Sequence, residues 1–182
     1  DKLKYGYGAS GNRLATVEDN AASTYNKDYD FKQGQVESTV NYSYNEIGQL
    51  TSDVNEKNYY DYDVYGNVTV VYNDEKKTKL LVKFAYDDRG YRIKKSDYQK
   101  NGTAVALETW YVRDASGNVI SIYTNDQSTG LIQAETNVYG SGRLGLYTKP
   151  GNKYLYELSD HLGNFRTTFQ RKKEYKFSTA FD

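Results

Sequence analysis

The sequence predicts an all-β fold of repeated antiparallel β-hairpins. Three observations carry this. A short tyrosine–turn–glycine unit recurs along most of the 182 residues. The composition holds 21 Tyr and 15 Gly, with aromatics at 15%, which marks strands joined by many turns. No stretch of ten or more residues shows the apolar period of an amphipathic helix.

The clearest copy of the unit is Tyr62-Asp63-Val64-Tyr65-Gly66-Asn67-Val68. Asp63 to Gly66 fits a type I turn, which favours Asp or Asn at the first position and Gly at the fourth. The carboxylate can accept a backbone N–H two residues on, and glycine takes positive φ without steric cost. A type I turn followed by a left-handed residue gives a hairpin with a local bulge. Val68, Val70 and Tyr72 then alternate with Asn67, Thr69 and Val71, a strand signal.

Further copies are Tyr44 to Leu50, Tyr86 to Ile93, Tyr111 to Val119 and Asp160 to Phe165, with Tyr154 and Tyr156 upstream of the last. In Tyr111 to Val119 the tyrosine lies two residues earlier, which preserves its face because strand side chains alternate. Tyr7 to Leu14 keeps the tyrosine and glycine but has Gly8 in place of the acid. Val138 to Gly145 is a divergent unit. Such a repeat decides fold class before any single element does.

The elements follow in order. Residues 1–17 hold the first unit, and 18–38 read as a long polar loop with a weak strand at Tyr25 to Phe31. Val40, Tyr42 and Tyr44 share a strand face, Leu50 resumes the next strand, and Asp53 to Lys57 turns back. Residues 74–79 read as a charged hairpin loop, followed by strands at Leu80 to Tyr86 and Arg92 to Tyr98. Lys100 to Thr103 is a turn signal. Ala104 to Val112 is a strand expected to bury both faces in part. Val119 to Thr124 pairs back, Asn125 to Gly130 reads as a polar loop, and Leu131 to Tyr139 as a strand. Gly140 to Gly145 reads as a glycine-rich bend and Lys149 to Asn152 as a turn. Tyr154 to Leu158 and Asn164 to Phe169 flank the last unit turn.

These residues resemble the YD repeats of the RHS family, which also occur in teneurins and in the shell subunit of bacterial toxin complexes. Tyr111 to Val119 (YVRDASGNV) and Tyr139 to Tyr147 (YGSGRLGLY) come in the family's order. Tyr156 to Phe169 (YELSDHLGNFRTTF) resembles the motif that closes the RHS core, in its Bacteroidetes form. The resemblance covers roughly residues 5 to 170. It implies that the hairpins form part of a spiralling β-sheet shell, which encloses another polypeptide or acts as an extracellular scaffold. The expected organisation is therefore a shell segment over 1–170 and a basic tail over 171–182 leading out of it. Family members often continue into a proline- and DPxGL-containing segment with aspartyl self-cleavage. Here Pro150 is the one proline and no DPxGL occurs, so no protease residue and no toxin activity is carried over.

Composition narrows the function classes. Lys and Arg number 24, as do Asp and Glu, and the pI is 6.8, so no basic field favours nucleic acid. Cysteine is absent, which excludes disulfides and thiolate metal sites. The hydrophobic fraction of 37% is low for a globular domain, but disordered chains lack this many aromatics. Tyrosine is amphipathic and suits a sheet with two partly wet faces. No apolar run approaches the ~20 residues of a membrane-spanning helix, and no signal peptide is visible. The chain opens on Asp1 and holds no Met, so it is expected to be a fragment of a longer protein.

Each candidate site has a simpler structural reading. His161, the one histidine, stands beside Asp160, but the repeat puts the pair at turn positions with no third group for a catalytic triad. Asp61, Asp63, Asp87 and Asp88 suggest calcium, yet Val64 and Tyr65 break the alternating oxygen pattern. Gly140-Ser141-Gly142 lacks the spacing and following helix of a phosphate loop and reads as a tight bend. The tyrosines could stack on sugars; their regular spacing favours cross-strand ladders. Lys76-Lys77 and Arg171-Lys172-Lys173 read as basic residues that blunt loops and edges. Asn41, Asn67 and Asn101 head chance matches to the glycosylation pattern. No catalytic residue, metal ligand or cofactor is expected, and no binding residue is assigned.

The expectation is a non-catalytic structural segment of a large secreted or cell-surface bacterial protein, forming a shell that carries a C-terminal, toxin-like domain. Its partners would be the rest of its own chain and bacterial secretion machinery, with no nucleic acid. The alternative is a surface adhesin recognising a glycan or a protein, for which the 18–38 loop is the candidate element.

Overall fold

The structure, a computed structural model, describes residues 3–8, 11–19, 40–99, 102–160 and 164–170. Every regular element among them is a strand. They are β1 (Leu3–Tyr7), β2 (Leu14–Asp19), β3 (Tyr42–Tyr44), β4 (Leu50–Asp53), β5 (Asn58–Tyr62), β6 (Val68–Tyr72) and β7 (Leu80–Tyr86). They continue with β8 (Arg92–Tyr98), β9 (Val105–Arg113), β10 (Val119–Asp126), β11 (Gly130–Tyr139), β12 (Arg143–Thr148), β13 (Lys153–Ser159) and β14 (Phe165–Gln170). β1 and β2 pair as a two-stranded sheet, and β3 to β14 follow one another in a twelve-stranded sheet in sequence order. Every ladder described is antiparallel. The all-β hairpin fold is thus as expected. The chain divides into two compact units, Asp1–Glu108 and Thr109–Asp182.

The turn chemistry explains why these residues make hairpins. Asp63 Oδ1 accepts the N–H groups of Tyr65 and Asn67, both at 2.9 Å, and the Gly66 N–H donates to the Asp63 carbonyl at 3.1 Å. Gly66 has φ of 90°, where a side chain would be strained. Asp87 and Asp114 repeat the arrangement with Arg89 and Tyr91, and with Ser116 and Asn118. Asn45 and Asp160 each accept from the residue four positions on, at 2.8 Å. The predicted bulge is present: Asp61 lies opposite Val70 but Tyr62 opposite Val68, so Thr69 is the extra residue.

The recurrence of the tyrosine has a separate cause. The Tyr62 hydroxyl donates to the Leu50 carbonyl at 2.7 Å, and Tyr86 to Val68 at 2.8 Å. In the second unit Tyr139 donates to Val119 at 2.9 Å. Each acceptor stands two residues past the preceding repeat's turn glycine, so each tyrosine ties its hairpin to the one before. Arg113 occupies the tyrosine position of its repeat and donates instead to its own turn, at Gly117 O.

Three details differ from expectation. The glycine-rich bend is confined to Gly140–Gly142, closed by Gly140 N–H to Gly142 O at 2.8 Å, and Arg143 already begins β12. Gly145 lies inside that strand because a Cβ there would sit 2.1 Å from Leu155 O. The polar loop at Asn125–Gly130 shrinks to 127–129, since Asp126 pairs with Gly130 and its carboxylate caps Ser128 and Thr129. β9 shelters chiefly one face: Val105, Leu107, Thr109 and Tyr111 are half-buried, while Ala106, Trp110 and Val112 are exposed.

Little of the chain forms a core. Among the described apolar residues only Val17 and Val71 are buried, and no side chain is fully enclosed. Four buried polar residues, Asn41, Ser52, Ser96 and Ser121, sit between half-exposed neighbours. Among the described residues the strands are held chiefly by backbone ladders and cross-strand pairs. Asn41 joins the two sheets of the first unit, donating its backbone N–H to Ala15 O at 2.7 Å and its side-chain amide to Val17 O at 3.3 Å.

Candidate functional site

The side chains singled out in the sequence are mostly occupied by the fold. Asp61 forms an ion pair with Lys77, whose ammonium also lies 5.8 Å from the Tyr72 ring centre. Asp63 and Asp87 face their own turn backbones, as above. Among the described residues no three His, Asp or Glu side chains are grouped to hold a metal ion. Asp160 accepts from Asn164 and pairs with Arg166 at 2.8 Å. His161 lies outside the described residues, as do Asn101, Arg171 to Lys173 and most of the 18–38 loop, from residue 20 on. Lys76 is exposed in its loop. Of the glycosylation matches, the Asn41 amide is engaged with Val17, and the Asn67 amide donates to Asp63 Oδ2 at 3.0 Å.

That last bond is a signal the sequence reading passed over. Asn118 and Asn164 make the same bond to Asp114 and Asp160, at 3.0 and 3.1 Å. The motif is therefore Asp-x-x-Gly-Asn, with the amide clamping the carboxylate it follows. It has electrostatic consequences. The side-chain bond from Asn67 and the backbone N–H groups hold the Asp63 carboxyl below its ordinary range, and Asn118 does so for Asp114. At Asp74 partial desolvation works against the shift, but Thr78 and Lys79 outweigh it. Asp126 is lowered furthest, by the Thr129 N–H and hydroxyl and by Ser128. Burial pushes the phenols of Tyr42, Tyr59, Tyr60, Tyr62 and Tyr72 upward.

The open surfaces of the described residues include two that expose apolar side chains. In the first unit the turn tips present Ile47, Val64 and Tyr65, the last two 94% and 88% exposed. A shallow groove of about 560 Å³ runs between neighbouring turns, lined by Tyr65, Phe84, Tyr86 and Asp88. In the second unit β12–β14 carry an aromatic row. Tyr147 and Tyr154 lie opposite each other with ring centres 4.9 Å apart; Tyr154 and Tyr156 are at 6.5 Å, and Tyr156 and Phe169 at 5.4 Å. This is the cross-strand ladder expected of regularly spaced tyrosines. Tyr154 and Phe169 remain about half exposed. The groove of the first unit is lined by carboxylates as well as aromatic rings, whereas the row of the second unit is aromatic.

No family model matches the chain. Two curated proteins are similar to it: the tRNA3(Ser)-specific nuclease WapA of Bacillus spizizenii and the tRNA nuclease WapA of Bacillus subtilis. Each is 30% identical over 169 residues, which is 87% of this chain and 6% of the relative. The chain thus spans a small fraction of the length of the curated relatives it matches.

Proposed function

We propose that this chain is a non-catalytic structural segment of a large secreted or cell-surface protein of the RHS type. It contributes consecutive hairpins to a β-shell that encloses or carries a C-terminal, toxin-like domain. The observation that carries the reading is a sheet of successive hairpins, three of them tied to the one before by a tyrosine hydroxyl, in which few of the described apolar residues are buried. Such a sheet suits a wall that continues through further repeats better than a domain packed around its own core. The similarity to a small part of two far longer nucleases supports the same reading. RNA hydrolysis would then reside in another part of the protein, since the turn carboxylates here serve their own backbones. The test is incubation of the purified segment with a tRNA pool. Intact tRNA is expected; cleavage that survives repurification and is lost in a point variant would overturn the non-catalytic assignment.

The exposed aromatic row supports a second reading, a surface adhesin that stacks sugars on Tyr154 and Phe169. A glycan array with no signal would remove it. Binding lost on Tyr154→Ala would establish it.

A further inference from the structure

We infer that Tyr147 and Tyr154 form an oxidative coupling site: a one-electron oxidant joins their rings as a dityrosine that staples β12 to β13. The two residues are direct cross-strand partners. Their ring centres are 4.9 Å apart and the planes are tilted by 45°. This separation is shorter than those of the Phe84–Tyr86, Tyr154–Tyr156 and Tyr156–Phe169 pairs. It approaches the spacing of two directly bonded, mutually twisted rings. Tyr154 is 52% exposed, so small oxidants and their radicals reach it. The Tyr147 hydroxyl donates to Asn152 Oδ1 at 3.0 Å, which fixes its ring against the hairpin turn.

Composition strengthens the case independently. Thiols and thioethers are the usual protein sinks for oxidants. This chain has no Cys and no Met, and one Trp against 21 Tyr. An oxidising equivalent that reaches it has tyrosine as its main destination. Tyr156 and Phe169 extend the row of rings beyond Tyr154. The absence of cysteine also means that a redox-formed cross-link cannot be a disulfide.

The step balances as follows. Each phenol loses one electron and one proton to give a phenoxyl radical. The radicals combine through ring carbons ortho to the oxygens, forming one carbon–carbon bond. The two hydrogens on those carbons then return to the oxygens as aromaticity is restored. The net loss is two hydrogen atoms. A peroxide acting through a peroxidase-type oxidant takes them up and becomes two molecules of water.

The experiment treats the intact native protein, dilute enough to disfavour intermolecular coupling, with peroxidase and hydrogen peroxide. Trypsin then releases residues 144–153 and 154–166, because Pro150 blocks cleavage after Lys149. The expected product is these two peptides joined with the loss of two hydrogens, with dityrosine fluorescence, and fragmentation that places the bond at Tyr147 and Tyr154. Tyr147→Phe and Tyr154→Phe should each abolish the linked peptide, while Tyr156→Phe should leave it; all three keep the aromatic ring. Dityrosine formed elsewhere with this pair unlinked, or a linked peptide that persists in Tyr147→Phe, would overturn the inference.

Discussion

At the scale of single residues, the aspartates of the turns and the tyrosines before them do different work. Asp63 and Asp114 are ionised in the fold below their ordinary value of 3.8, because Asn67 and Asn118 and the turn N–H groups bind the charged form. A lowered folded-state pKa contributes stability that is complete above the ordinary value and is lost as pH falls through the lower one. The melting temperature should therefore hold steady from neutral pH to about 4 and drop below it, as thermal scans across pH would show. Asp63→Ala should lower the melting temperature more than Asp63→Asn, since Asn45 makes the same bond to Gln49 N–H in its own turn. The tyrosine tether is a neutral bond. Tyr62→Phe removes the donor to Leu50 O and keeps the ring, so denaturant titration should show a loss of about 1 kcal/mol.

At the scale of elements, most of the hairpins were legible in the sequence, because turn chemistry and strand alternation agree. β7 and β8 match the residues expected of them at both ends. β12 was not legible, since Gly142 and Gly145 flank Leu144 and hide its alternation behind apparent turn residues. Gly145 is there for the close approach of β13, a tertiary fact that no local pattern carries. Gly145→Ala would place its Cβ against Leu155 O at a φ of 156°, and neither backbone can yield while the β12–β13 ladder holds. Amide exchange should show protection lost in β12 and β13, whereas Gly142→Ala, with open space around it, should leave both protected. The Asp-x-x-Gly-Asn clamp was visible as letters but not as chemistry, because the amide's partner is the carboxylate four residues back. The candidate sites were legible mainly as turn parts: the residue types suggested ligands, and the hydrogen bonds show them engaged. The aromatic row was predicted as a ladder, but the half exposure of Tyr154 and Phe169 is a tertiary fact that no local pattern carries.

At the scale of the whole molecule, the dominant fact is how few of the described side chains are buried. A sheet whose described apolar residues are nearly all half-exposed gains little from burial, and hydrophobic burial is the main favourable term in folding. Its ends, β3 and β14, are also the ends of the sheet order, where strand edges invite pairing with other chains. Residues 1–182 expressed alone should accordingly self-associate or unfold without a sharp transition, as sedimentation and calorimetry would report, so the pH scans and the denaturant titration are to be made on the native protein from its source. A monomer with one cooperative transition would mean that the segment stands by itself and is not a piece of wall.

The measurement that tests the shell reading most directly is the intact mass of the native protein from its source, taken on separated cells and medium. The expected result is a chain far longer than 182 residues, outside the cell, with a cleaved C-terminal piece that stays associated. A long chain with no such piece would favour the surface scaffold or adhesin. A free 182-residue protein confined to the cytoplasm would contradict the shell.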